Sequence, residues 1–170
     1  MNMLPPNSRA ALLAGLLVTV CSVAALAAAP KAGDAFPILS EAKLEGTLPD
    51  TQGKVVLVDF WASWCGPCRA AFPSLKQIAE KYKDRGLVVI GVSLDEDKAD
   101  MDAFVRKLTP NFTIVRDAKG KLAERLEVQA IPSTFIVDQK GKIAAIHAGF
   151  GGEVTAKEYV AEIERLLTAR

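Results

Sequence analysis

The sequence predicts a three-layer α/β sandwich built around a mixed central sheet. Apolar runs at 55–60 and 87–92, each bounded by turn residues, read as strands buried on both faces. Apolar residues at helical spacing follow each run. Near the end of the chain, strand-like runs at 134–137 and 143–146 flank Asp138-Gln139-Lys140-Gly141, a hairpin signature. Strands that alternate with helices and close on a hairpin bury both faces of one sheet under helices.

Taken in order, Val55 to Phe60 forms the first strand, between Gly53 and a Trp-Cys turn. Ala71, Leu75, Ile78 and Tyr82 mark a helix closed by Gly86, with Pro73 inside it as an expected kink. Leu87 to Val92 is the second strand. Met101, Phe104, Val105 and Leu108 mark a second helix, stopped by Thr109-Pro110. A short strand at 112–115 and a short helix around Leu122 and Leu126 precede the hairpin. Thr155 and Glu158 read as a capping box for a last helix that buries Val160, Ile163 and Leu167.

The 170 residues carry 21 basic and 20 acidic side chains, and half are apolar. So balanced a charge argues against a nucleic-acid surface, and the apolar fraction excludes a disordered chain. The chain divides into 1–27, 28–33 and 34–170. The first segment has a polar start with Arg9, then an uncharged Ala- and Leu-rich run ending in Ala25-Leu26-Ala27, which fits a cleaved signal peptide. An uncleaved anchor is the alternative, since about 20 apolar residues span a bilayer. Cys21 follows Val20, which does not suit a lipid-attachment signal. Residues 28–33 read as a linker and 34–170 as one domain. The body is therefore expected outside the cytoplasm, soluble after cleavage or tethered by the leader, where cysteines meet an oxidising milieu.

The chemistry is concentrated in Trp64-Cys65-Gly66-Pro67-Cys68, between a strand and a helix. Cysteines at i and i+3 on a first helical turn can close a small disulfide ring. Free N–H groups at the helix start favour a thiolate on Cys65, while Cys68 lies a turn deeper. Pro67 suits a first turn because it has no N–H to leave unpaired. Haem attachment would need a histidine where Arg69 stands. Half a zinc site would have to recruit His147 and carboxylates, and a purely structural disulfide would close too small a loop to stabilise much. These two remain as alternatives to a reversible redox pair, and no metal or other cofactor is expected.

The segment Val58-Asp59-Phe60-Trp61-Ala62-Ser63-Trp64-Cys65-Gly66-Pro67-Cys68 resembles the active-site stretch of thioredoxins. The match continues through Ile131-Pro132-Ser133-Thr134 and Gly149 and covers about residues 34 to 168. With the leader and the extra segment between Leu87 and Ala130, the chain looks most like the TlpA/ResA group of extracytoplasmic thioredoxin-like proteins. The resemblance implies a thioredoxin fold, Cys65 as exposed nucleophile and Cys68 as resolving thiol. It also implies a cis-proline loop at Ile131-Pro132 laid against the disulfide. Trp64, Gly66, Pro67, Ile131, Pro132 and Gly149 would then form the substrate-contacting rim, and Trp61 the core.

Asp59 interrupts an apolar strand, where an acid is costly unless it reaches water at the strand end. The alternative is a buried carboxyl with a raised pKa that takes and returns the Cys68 proton. Thioredoxins carry an acid at the matching position. Their neighbouring lysine is replaced here by the Ile90-Gly91 region, and the extra glutamate of the ResA group by Ala71, so proton handling is expected to rest on Asp59 alone. His147 reads as surface or packing. Asp95, Glu96, Asp97, Asp100 and Asp102 lack the glycine and glutamate of a calcium loop and read as a solvated loop before a helix.

The expected function is an exported thiol-disulfide oxidoreductase that reduces protein disulfides, as in cytochrome c maturation. A membrane electron donor would recharge it, and the body is expected to be monomeric and to bind no nucleic acid. Two rival readings are a thiol peroxidase of the same superfamily and a non-catalytic partner- or metal-binding module. The first would need a threonine-flanked cysteine, which Cys65 is not.

Overall fold

The computed structural model describes Met1 and residues 29–169. The expected leader, with Cys21, lies outside the described residues. The elements are β1 (Val55–Trp61), α1 (Gly66–Tyr82), β2 (Leu87–Ser93), α2 (Lys98–Leu108), β3 (Thr113–Arg116), α3 (Lys121–Arg125), β4 (Ser133–Val137), β5 (Ile143–Ala148) and α4 (Glu153–Thr168). The five strands form one sheet in the order β3-β2-β1-β4-β5. The pairs β1/β2 and β2/β3 are parallel, whereas β1/β4 and β4/β5 are antiparallel. The sheet is mixed, as the helix connections and the hairpin required.

Alternation along β1 sends Val55, Leu57, Asp59 and Trp61 to one face and Val56, Val58 and Phe60 to the other. On the first face, Val55 and Leu57 pack with Ala71, Leu75, Ile78 and Tyr82 of α1 and with Tyr159, Ile163 and Leu166 of α4. Trp61 extends that layer to α2, packing with Phe72, Met101 and Phe104. Its ring centroid lies 5.0 Å from that of Phe72 and 4.8 Å from that of Phe104. On the opposite face, Val56, Val58 and Phe60 meet Val115, Leu122, Leu126 and Phe135. The helices α1, α2 and α4 thus cover one side, while α3 and the segment around Leu39 cover the other.

The local signals mostly act where expected. Gly86 takes φ 95° to end the first helical segment, and Thr109 takes φ 44° as the C-cap of α2. Asp97 caps the start of α2, its Oδ1 accepting from the Ala99 N–H at 2.8 Å. In the hairpin, Asp138 Oδ1 accepts from the N–H groups of Lys140 and Lys142. Before the sheet proper, the Gly33 N–H donates to the Ile143 carbonyl and the Phe36 N–H to the Gly141 carbonyl. α1 continues as one helix across Pro73.

The last helix corrects the expected capping box. It starts at Glu153 behind Gly152, and no side chain caps it. Thr155 sits inside the first turn, where its hydroxyl accepts from the Gly151 N–H at 3.0 Å. The buried stripe of this helix is Tyr159, Ile163 and Leu166, with Val160 and Leu167 only partly buried beside it. Gly152, at φ 73°, makes the turn that permits this start.

Candidate active site

The redox pair sits where β1 hands over to α1. Cys65 is the N-cap of α1, and its sulfur accepts from the Cys68 N–H at 3.1 Å. The two sulfurs are joined in a disulfide. The amide that contacts Cys65 Sγ belongs to the positive end of the helix, so a thiolate released there is stabilised by the helix start. Arg69, one turn on, adds a cation over the Phe104 ring at 5.7 Å.

Exposure refines the expected asymmetry. Cys68 is fully buried and Cys65 is only 5% exposed, so the expected exposed nucleophile is almost covered in the disulfide state. The exposed group is Trp64, at 74%, with Gly66 and Pro67 also on the surface. The cover over Cys65 comes from the Ile131 loop: the Ile131 carbonyl oxygen lies 3.7 Å from Cys65 Sγ. The Ile131–Pro132 bond is cis, and Pro132 is buried. Gly149 acts on this loop from behind, its N–H donating to the Pro132 carbonyl at 2.7 Å. Its place in the rim is therefore indirect.

Asp59 is 1% exposed, so it does not reach water at the strand end. Burial pushes its carboxyl up to about 7 from 3.8, and the hydroxyl of Thr134, hydrogen-bonded to it, partly counters that rise. Thr134 donates to Asp59 Oδ1 at 2.7 Å and also lies 2.7 Å from the Tyr159 hydroxyl. Oδ2 is buried and has no hydrogen-bond partner among the described residues. Two buried hydroxyls accompany Asp59, one bonded to it directly and the other through Thr134. Thr134 is its register partner on β4, a relation visible only once the strands are paired.

On the other side, the register partner of Asp59 on β2 is Gly91. A β-carbon there would lie 2.8 Å from Ile114 Cδ1 and 3.0 Å from the Trp61 indole nitrogen. Trp61 fills the space, so no charged side chain can stand beside the acid from that strand.

Asp95 is the clearest correction among the acids. It is 2% exposed rather than solvated. Its carboxyl accepts from the Ser63 N–H at 3.0 Å, the Ser63 hydroxyl at 2.7 Å and the Ser93 hydroxyl at 2.7 Å. Arg116 donates to the Glu96 carbonyl at 2.7 Å and pairs with Glu45, fastening the loop that carries Asp95. Asp95 thereby fixes the chain two residues before Cys65. Asp95→Ala strands three donors and is expected to cost about 3 kcal/mol of stability, read by urea unfolding of the oxidised protein. A loss under about 1 kcal/mol would show that the clamp is slack.

His147 lies opposite Thr134 on β5. Its ring packs edge-on to Tyr159 at 4.9 Å, and its Nδ1 is 3.6 Å from Glu158. A surface or packing role was expected. Among the described residues no cluster of three or more His, Cys, Asp or Glu side chains is arranged to hold a metal.

A mixed five-stranded sheet under helices, with a closed Cys-Gly-Pro-Cys pair at a helix start and a cis-proline loop against it, defines a thioredoxin-fold dithiol protein. The chain belongs to the AhpC/TSA family, which it matches over residues 31–146. It is 37% identical to the thioredoxin-like protein YneN of Bacillus subtilis, over 69% of this chain and 71% of YneN. It is 31% identical to the thiol-disulfide oxidoreductase ResA of Oceanobacillus iheyensis. That match covers 60% of this chain and spans about half of ResA, 53%. Among solved structures, a candidate thiol:disulfide interchange protein DsbE of Chlorobium tepidum superposes with TM-score 0.76 at 35% identity, covering 82% of this chain and 99% of that one.

Proposed function

We propose that this protein is an extracytoplasmic thiol-disulfide oxidoreductase that reduces disulfides in partner proteins. The observation that carries the proposal is the Cys65–Cys68 disulfide at the N-terminus of α1. The names of the relatives support it, as does the exposed Trp64 rim beside the pair.

In the reaction, Cys65 thiolate attacks one sulfur of a partner disulfide. That S–S bond breaks, and one partner thiolate leaves to take a proton from water. Asp59 carboxylate then takes the Cys68 proton, and Cys68 thiolate attacks Cys65 Sγ. The mixed disulfide breaks, and Asp59 gives its proton to the second departing thiolate. Two electrons pass to the partner and the Cys65–Cys68 disulfide forms. Substrate backbone would pair in extended form along Ile131, with Trp64, Gly66, Pro67 and Pro132 as contacts and Gly149 supporting the loop.

A reductant in an oxidising compartment needs an outside source of electrons, so a membrane electron-transfer protein belongs to the same proposal. Cytochrome c maturation is the pathway that the TlpA/ResA resemblance suggests. The leader at 1–27 would deliver the body across the membrane and be cleaved or stay as a tether, and the body would work as a monomer. Catalysis of insulin reduction by dithiothreitol tests the activity. Wild-type protein is expected to accelerate it and Cys65→Ser to leave it at the uncatalysed rate; equal rates for the two would overturn the proposal.

A further inference from the structure

Across the sheet, Asp59, Thr134 and His147 stand in register on β1, β4 and β5, on the face that α1 and α4 cover. Tyr159 comes down from α4 to meet Thr134. Asp59, Thr134 and Tyr159 are all essentially buried, so their polar atoms are shut off from bulk solvent. The Thr134 hydroxyl lies 2.7 Å from a buried carboxyl oxygen on one side and 2.7 Å from a buried phenol on the other, so each of these groups, costly to bury unpaired, has a partner.

Proton counting gives the chain a direction. A threonine hydroxyl has one hydrogen. Thr134 spends it on Asp59 Oδ1, so the bond to Tyr159 must run the other way, with the Tyr159 hydroxyl donating to Thr134 Oγ1. The sequence Tyr159 to Thr134 to Asp59 is therefore two donations that both end on the carboxyl. Burial pushes the Tyr159 phenol up to about 12, so it keeps the proton it donates. One carboxyl oxygen is anchored, and the other, Oδ2, has no hydrogen-bond partner among the described residues.

We propose that Thr134 and Tyr159 are positioning residues of the redox centre: their hydroxyl chain holds Asp59 Oδ1 so that Oδ2 is the oxygen that takes the Cys68 proton and later returns it. The inference rests on the reading of Asp59 as base for Cys68. Donation to Oδ1 favours the ionised carboxylate, which is the form able to accept that proton. Without the chain, the acid holds its proton more tightly and is a poorer acceptor near neutral pH. The other titratable groups beside this chain are His147 from β5, in register with Thr134, and Glu158 from α4, paired with His147; Gly91 on β2 contributes none.

The test isolates the step in which Cys68 acts. Reduced protein is mixed with the aromatic disulfide DTNB, and coloured thiolate release is followed by stopped flow. One equivalent leaves when Cys65 attacks and a second when Cys68 resolves the mixed disulfide; release by Cys21 is bimolecular like the first, and only the Cys68 phase is independent of reagent concentration. Its rate is measured against pH in the full chain and in Asp59→Asn, Thr134→Val, Thr134→Ser, Tyr159→Phe and His147→Gln. Thr134→Val is expected to move the midpoint of the second phase up by about one pH unit and to slow it about fivefold at pH 7. Thr134→Ser keeps the wild-type profile, Tyr159→Phe shifts it in the same direction by less, and His147→Gln leaves it in place. If Thr134→Val does not fold, Tyr159→Phe carries the same sign test. A wild-type midpoint in the Thr134→Val or Tyr159→Phe protein, alongside a midpoint displaced toward that of an unassisted Cys68 thiol in Asp59→Asn, would overturn this inference and leave the base in place. An unchanged midpoint and rate in Asp59→Asn would overturn both.

Discussion

A Cys68→Ser variant is expected to hold its partners by a covalent bond. Cys65 still attacks, but the thiol that should expel it is gone, so the mixed disulfide persists until an external thiol arrives. An intramolecular thiol on the same helical turn has a high effective concentration, so turnover is expected to fall by at least about 100-fold at millimolar external thiol. Adducts from an extract should run as high-mass bands on a non-reducing gel, vanish with dithiothreitol and be absent when Cys65 is also replaced. The captured proteins also identify the pathway: a cytochrome c apoprotein or its maturation factor would place the protein there, and a broad mixture would indicate general reduction. An absence of thiol-labile adducts would contradict the assignment of nucleophile and resolving thiol.

Asp59→Asn carries the second large effect, on stability as well as rate. In the native protein the carboxyl titrates at about 7 because of burial, against 3.8 for an ordinary aspartate. Between these values the native state binds the proton that the unfolded chain has released. Stability therefore falls as pH rises from about 4 through about 7 and levels off above that. The full swing is on the order of 4 kcal/mol. Asparagine cannot ionise, so the variant should lack this slope, and its stability relative to wild type should grow from pH 5 to pH 8. Urea unfolding of the oxidised protein, where neither cysteine titrates, reads this directly. A wild-type minus variant difference that does not change between pH 5 and pH 8 would show that Asp59 is already ionised in the native protein over that range.

Most of the sheet could be read from the chain because its strands are apolar on both faces and its helices are punctuated by residues with one conformational use. Gly86 and Thr109 end helices at left-handed positions, and Asp138 folds the hairpin onto its own amides. The Cys65–Cys68 pair was equally plain, because its chemistry lies within one helical turn. The residues that were missed act across the sheet. Asp95 looks like one more acid in an acidic loop until Ser63 and Ser93 are seen to donate to it from separate segments. Thr134 is an unremarkable strand residue until the antiparallel register sets it beside Asp59. Tyr159 was hidden because its neighbour Val160 fits the apolar spacing with Ile163 and Leu167 equally well, whereas α4 buries Tyr159 and leaves Val160 partly exposed. Long-range pairing, not local propensity, brings Asp59, Thr134 and Tyr159 together.

A redox titration tests the central claim most directly. The protein is equilibrated in glutathione and dithiothreitol buffers of graded potential, then alkylated, and its free thiols are counted by mass. Cys65 and Cys68 are expected to appear together as one two-electron couple, with a midpoint among reducing thiol proteins, about −200 to −270 mV. A midpoint near about −120 mV, that of a strong oxidant, would contradict the reducing direction. A disulfide that no buffer opens would contradict the redox role itself.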